Sequence, residues 1–249
     1  MRNKVLIYDD YGCADVNVLA KELRAYFEPR GCMVGFTDAN EIISRNSLNQ
    51  EVLAFFIPGG ASTPYRHKLE VLGNAKIRDY VRQGGVYYGI CAGAYYACKQ
   101  TEFEKDLPES RIVTEYKLDL LDAKAIGSLY KELNIEPFAK NPNSSAAVEL
   151  FDESGEIVVA HYHGGPYFEL NETENAEILA RYNLNGFKPA VVLQPYGKGK
   201  VILSGVHYED SGETLAKTLT DTHKTCTILQ QNESARQSFF KKLMDLSGR

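Results

Sequence analysis

The chain has 249 residues, enough to bury roughly 70–75% of its unfolded surface and build a core without disulfides or metals. Hydrophobic residues at 44% and charged residues at 24% exclude a disordered chain, a collagen-like repeat and a disulfide-stapled miniprotein. Lys and Arg number 28 against 33 Asp and Glu, a net charge of −5, so the expected partners are small molecules or proteins, not nucleic acid or a membrane surface.

The first half of the chain alternates between two periods. Val5 to Tyr8 is a short apolar run, the pattern of a buried strand. Asp15 can cap the helix that follows, where Val18, Leu19, Leu23, Tyr26 and Phe27 recur at helical spacing, and Pro29 and Gly31 stop it. Met33 to Phe36 and Leu53 to Ile57 read as strands, then Leu69 to Gln83 as a helix ended by Gly84-Gly85. Val86 to Ile90 is a fourth strand, followed by a small-residue turn and a helix through Tyr96. Such alternation predicts a parallel sheet covered on both faces.

From about Lys99 to Lys140 charged and turn residues dominate, and the region around 100–145 reads as an irregular insertion. Ala147 to Phe151 and Ile157 to His163 alternate as antiparallel strands do. A helix is expected over Glu174 to Tyr182. Ala190 to Gln194 and Lys200 to Ser204 flank Gly197-Lys198-Gly199 as a hairpin. Two amphipathic helices, near Glu213 to Asp221 and Glu233 to Leu246, close the chain in the region 213–247. With no internal repeat or low-complexity linker, 1–249 reads as one domain.

Five cysteines (Cys13, Cys32, Cys91, Cys98 and Cys226) form no CxxC pair, which points away from zinc ribbons and toward a reducing compartment. The apolar run at Val5-Leu6-Ile7 is cut short by Asp9 and Asp10, too short for a secretory core, and no stretch approaches the ~18 apolar residues of a membrane span. The expected location is the cytoplasm.

The strongest chemical signal is Gly89-Ile90-Cys91-Ala92-Gly93, where an apolar strand passes straight into a helix. This is the thiol form of a nucleophile elbow, in which small flanking residues permit a sharp turn. Cys91 would then stand at the carboxyl edge of the sheet beside a helix N-terminus, where the dipole favours negative charge. The amide of Ala92 would point at the same spot and could hold an oxyanion. A buried cysteine is also a good small hydrophobe, but paired glycines at a strand–helix junction favour the nucleophile. A base is needed, and His207 also follows a strand, with Glu209 two residues on to orient the ring. Pro58-Gly59-Gly60 closes the third strand; Gly59 lets the backbone approach a ligand, and the Gly60 amide is a second oxyanion donor. His161-Tyr162-His163 puts two imidazoles on one strand face with no third ligand at suitable spacing, so no metal and no cofactor is expected.

Ile57-Pro58-Gly59-Gly60, Gly89-Ile90-Cys91-Ala92-Gly93 and His207-Tyr208-Glu209 together resemble the class I glutamine amidotransferase-like family. The chain more closely resembles the amidotransferase-like N-terminal domain of eukaryotic-type biotin–protein ligases. That likeness rests on Pro58 to Tyr65, Gln83 to Val86, Gly89 to Tyr95, Gly164 to Phe168 and Gly197 to Val201, and spans about Val5 to Glu209. The resemblance implies an α/β flavodoxin-like three-layer sandwich with a mostly parallel central sheet. It also implies a Cys91-His207-Glu209 triad, with Gly59, Gly60, Ala92, Tyr65, His163 and Gly164 around the substrate. Two positions depart from related patterns. Tyr208 stands where the family usually has proline, and Ala92 where the PfpI-type branch has histidine.

Nothing resembling the catalytic biotin-ligase region follows, and Gly197-Lys198-Gly199-Lys200 lies between two strands. The expected activity is therefore acyl transfer from a small amide or ester, not biotin ligation, with a separate ligase or synthetase as a possible protein partner. The alternative is a ligand-binding or regulatory module, which would have no need of His207 and Glu209. A third reading, thiol-based sensing, needs Cys91 alone.

Overall fold

A computed structural model describes residues 2–171, 175–218 and 223–248. The apolar runs of the first half form strands β1 (Lys4–Tyr8), β2 (Met33–Thr37), β3 (Val52–Ile57) and β4 (Val86–Ile90). Every residue of β3 and β4 is buried, as in strands covered on both faces. Helices α1 (Asn17–Phe27), α2 (Ala39–Arg45), α3 (Ser62–Arg82) and α4 (Ala92–Ala97) alternate with them. Asp15 accepts from the Asn17 amide at 2.9 Å, at the entry of α1. The short helix α2 has no counterpart in the expected elements, although Asp38 caps it by accepting from the Glu41 amide at 2.8 Å. Helix α3 begins ahead of the expected Leu69 and is interrupted at Glu70, whose φ is 47°.

The stretch expected to be irregular is ordered. Strands β5 (Cys98–Phe103), β6 (Ile112–Glu115) and β7 (Leu121–Gly127) precede a one-turn helix, α5 (Tyr130–Leu133). In β7 the residues alternate between buried and half-buried, a period-2 signal whose outward positions include Asp122 and Lys124. The chain continues through β8 (Ala146–Asp152), β9 (Ile157–Tyr162), β10 (Tyr167–Leu170), β11 (Glu177–Tyr182), β12 (Pro189–Tyr196) and β13 (Gly199–Ser204). The helix expected over Glu174 to Tyr182 is instead β11, and Glu174 itself lies outside the described residues. Pairing with β12 on one side and β8 on the other overrides the segment's local preference.

These strands make two sheets. The larger runs β2-β1-β3-β4-β13-β12-β11-β8-β9 and the smaller β10-β7-β5-β6. From β2 to β13 the large sheet is parallel, and from β13 to β9 it is antiparallel. The expected α/β class holds, with the parallel strands β2 to β13 at the centre of the fold and antiparallel strands extending the sheet. The expected hairpin at Gly197-Lys198 joins β12 to β13.

Among the described residues the chain closes with α6 (Gly212–Thr218), α7 (His223–Gln231) and α8 (Glu233–Asp245), where two helices were expected. The expected end of the first, Asp221, lies outside the described residues. Leu19 and Leu23 of α1 pack with Phe239, Phe240 and Leu243 of α8 in one core, and Tyr65, Leu69 and Ile77 of α3 lie in the other. Helices and sheet thus form layers on both sides of the main sheet.

Arg236 of α8 is 1% exposed and ties the last helix to the sheet. Its guanidinium donates to the Tyr208 carbonyl at 2.6 Å and to both carboxylate oxygens of Glu233 at 2.8 and 2.6 Å. Arg236→Met should lower unfolding stability by about 3 kcal/mol, the low end for a broken buried ion pair, because both acidic partners, Glu233 and Glu22 (3.3 Å from the guanidinium), keep some water contact. Urea unfolding measures this, and an unchanged midpoint would show that the Tyr208 carbonyl needs no donor.

Candidate active site

Cys91 is the single residue between β4 and α4, with φ 49° and ψ −104°. A residue with a Cβ rarely adopts that conformation, and it persists only where the surroundings impose it. They do so through close packing. A Cβ at Gly93 would lie 2.1 Å from the Ile57 carbonyl oxygen, so only glycine lets α4 approach β3 this closely. The Cys91 amide donates to the Ser204 carbonyl at 2.8 Å, anchoring the turn to the end of β13.

The chain leaves β13 through Gly205 and Val206, and the His207 amide donates to the His161 carbonyl at 2.8 Å. His207 Nδ1 donates to Glu209 Oε1 at 2.8 Å, which turns Nε2 away from the carboxylate. The loop after β3 lies flat against this assembly. A Cβ at Gly59 would be 2.6 Å from His207 Cε1 and 3.6 Å from Cys91 Cβ. Cys91, His207 and Glu209 are 7%, 8% and 5% exposed, so their mutual electrostatics are little screened.

Burial alone would lower the His207 pKa. The charge of Glu209 and its hydrogen bond to the ring, with a further contribution from nearby Cys91, outweigh it and hold the imidazole well above the ordinary histidine value. Cys91 Sγ also lies 3.4 Å from the His163 carbonyl oxygen. The thiol thus has a backbone acceptor in the His163 carbonyl. A folded value raised above the unfolded one stabilises the fold fully below pH ~6.5 and loses that stabilisation as pH rises through the folded value. Unfolding stability should therefore fall as pH climbs above neutrality, and His207→Gln should flatten the fall. Denaturant unfolding near pH ~6 and pH ~9 tests this, and an identical slope in the variant would contradict it.

Around this core the remaining expected residues divide. The amides of Gly60 and Ala92 donate to no protein acceptor among the described residues. Both residues line a cavity of about 130 Å³ with Cys91, His163 and Gly164. Tyr65 does not form a wall. It is fully buried beneath the loop, and its hydroxyl reaches the Gly59 carbonyl at 2.8 Å and that of Pro58 at 3.2 Å. A second cavity of about 170 Å³ is lined by His207, Glu209, His161, Asp15 and Gly59 among others.

Sequence reasoning missed a second pair. His161 Nδ1 and Asp210 Oδ2 are 2.6 Å apart, and the His161 and His207 rings lie 5.5 Å centre to centre. Burial would raise the Asp210 pKa, but the bond to His161 and the nearby charges of His207, His161 and Arg236 hold it below the usual range. The available signal was the adjacency of Asp210 to Glu209. His207, Glu209 and Asp210 place candidate ligand atoms within 4.8 Å of one another. With Nδ1 already bonded to Glu209, a cation there would have to replace that hydrogen bond. His163 is pulled below the ordinary histidine range by burial and its two histidine neighbours, against the Pro142 carbonyl. It therefore presents a neutral ring to the cavity.

Residues 3–248 match the family model described as biotin-protein ligase, N terminal. An uncharacterized protein of Chlamydia muridarum is 32% identical over 216 residues, covering 83% of this chain and 80% of that one. The biotin–protein ligase of Schizosaccharomyces pombe is 26% identical over 214 residues, 84% of this chain and 34% of the yeast enzyme, so the match spans about a third of that protein. In three dimensions a glutamine amidotransferase from Thermotoga maritima superposes with TM-score 0.64 at 12% identity, covering 99% of this chain and 98% of that one. The fold is thus that of the class I glutamine amidotransferases, and the chain belongs to the biotin–protein ligase N-terminal family.

Proposed function

We propose that the protein is a cysteine-dependent hydrolase or amidotransferase-like enzyme acting on a small amide or ester. One observation carries this reading: a strained, buried Cys91 packed around Gly59 together with a His207 ring whose Nδ1 is fixed by Glu209. In the proposed cycle Cys91 sulfur attacks the carbonyl carbon, forming a C–S bond, while the amides of Gly60 and Ala92 hold the oxyanion. His207 passes a proton to the departing nitrogen or oxygen, the bond to the leaving group breaks, and a thioester remains. Water, deprotonated by His207, then attacks the thioester and releases the acid and the thiol. Glu209 keeps the ring in the productive tautomer and stabilises its charged form.

Two further readings go with this one. The family tie to a biotin–protein ligase supports a separate ligase or synthetase as protein partner. Five free cysteines suit the reducing cytoplasm, and among the described residues no helix is long and apolar enough to cross a membrane.

The test is to mix the protein with a panel of activated esters and small amides and follow intact mass. An acyl adduct that maps to Cys91 and then decays with release of acid is the expected result. A stable ligand complex with no acyl adduct on any cysteine would assign a binding module instead.

A further inference from the structure

We propose that the cavity beside Cys91 selects a small uncharged apolar acyl group, about one ring or one branched chain in size, and rejects glutamine. The inference rests on the reading of Cys91 as the acylated group and names the acyl half of its substrate. None of the thirteen residues that line the cavity is Asp, Glu, Lys or Arg. Glutamine brings an α-ammonium and an α-carboxylate, and burying either without a partner is strongly unfavourable.

Four polar side chains on the walls are already committed, which leaves the Thr63 hydroxyl and the oxyanion-facing amides of Gly60 and Ala92. The Ser62 hydroxyl is 2.7 Å from the Tyr116 hydroxyl, Thr101 donates to the Tyr95 carbonyl at 3.0 Å, and Tyr95 donates to the Gly164 carbonyl at 3.0 Å. His163 Nε2 donates to the Pro142 carbonyl at 2.7 Å. Away from the Cys91 end, the walls offered to an acyl group include the carbon surfaces of Phe103, Ile112 and Phe138. The Phe103 and Phe138 rings meet edge to face at 6.0 Å, an arrangement that can take a third ring or an alkyl group. The volume of about 130 Å³ is comparable to the ~150 Å³ apolar cavity that holds one benzene.

The nearby charge is turned elsewhere. Glu104, 3% exposed, accepts from the amides of Phe138 and Ala139 at 2.7 and 3.4 Å and from the Ser128 hydroxyl at 2.7 Å. Its carboxylate fixes the loop that carries Phe138 over the cavity and offers no counter-charge to a ligand.

Two chloromethyl ketones test the proposal with one reactive group. One carries a benzyl substituent, and the other carries the α-amino and α-carboxylate groups of glutamine. Inactivation efficiency is measured for each, divided by its rate with glutathione, and the modified residue is mapped by peptide mass. The benzyl ketone should label Cys91 at least ~10-fold more efficiently. Phe138→Ser and Ile112→Asn should each weaken that preference by several-fold or more. Both positions are partly exposed, so the variants should fold, and circular dichroism checks it. Equal or faster labelling by the glutamine-like ketone overturns the proposal, as does labelling confined to other cysteines. Benzyl-selective labelling of Cys91 in a protein that turns over no amide or ester would uphold the cavity's preference and refute the hydrolase reading.

Discussion

Replacing Cys91 with alanine should cut turnover of any amide or ester substrate by on the order of 10³-fold or more, because the covalent intermediate can no longer form. The fold should survive, since one sulfur at a cavity wall contributes little buried area. Glycine at the same position gives a sharper check. It would be equally inactive, yet φ 49° and ψ −104° are comfortable only without a Cβ. Cys91→Gly should therefore unfold at higher denaturant than Cys91→Ala. Parallel kinetics and urea unfolding measure both quantities. Comparable turnover in wild type and the alanine variant would end the nucleophile assignment, and a less stable glycine variant would show that the turn stores no strain.

Glu209→Gln should lower turnover by roughly 10²–10³-fold with little change in substrate affinity, since an amide can hold the ring but cannot balance its charge. The loss should stop short of the ~10⁴-fold seen when no other carboxylate stands by. Asp210 Oδ2 lies only 4.0 Å from His207 Nδ1 and shares the burden. Adding Asp210→Asn should deepen the defect beyond the product of the two single effects. A second readout separates this role from a structural one. Without Glu209 the His207 value should drop toward the ordinary histidine range, moving the corresponding limb of the pH–rate profile to lower pH. A profile that does not move would reduce Glu209 to a packing residue.

The elbow and the histidine pair were legible because both lie where the backbone itself dictates the sequence. Gly93 cannot carry a side chain against the Ile57 carbonyl, and the strands leading to Cys91 and His207 carry the apolar runs Val86 to Ile90 and Val201 to Leu203. The second sheet was illegible for the opposite reason. Residues of β7 alternate correctly, but Asp122 and Lys124 on its outer face pair with Lys99 and Glu102 of the neighbouring strand, so their charge reads locally as loop. Helix propensity misled at β11, where two flanking strands decide the outcome. Asp210 and His161 could not be joined in advance, because they are 49 residues apart and meet only when β9 lies beside the exit of β13. The role of Tyr65 was misplaced for a similar reason: nothing local says whether a tyrosine after Pro64 faces a ligand or props a loop from beneath.

The parallel half of the large sheet closes late. Strand β4 finds its outer neighbour only in β13, with Val86 opposite Lys200 and Ile90 opposite Ser204, more than a hundred residues downstream. At ribosomal rates of ~5–20 residues/s, that interval lasts roughly 6–23 s. Throughout it a wholly apolar strand presents an open row of backbone donors and acceptors, the template on which foreign strands add. Cys91 emerges at the end of that strand well before His207 exists to face it. Chains halted before Ser204 should accordingly be prone to take up foreign strands along β4, and Cys91 gains His207 as a neighbour only after β13 has been made.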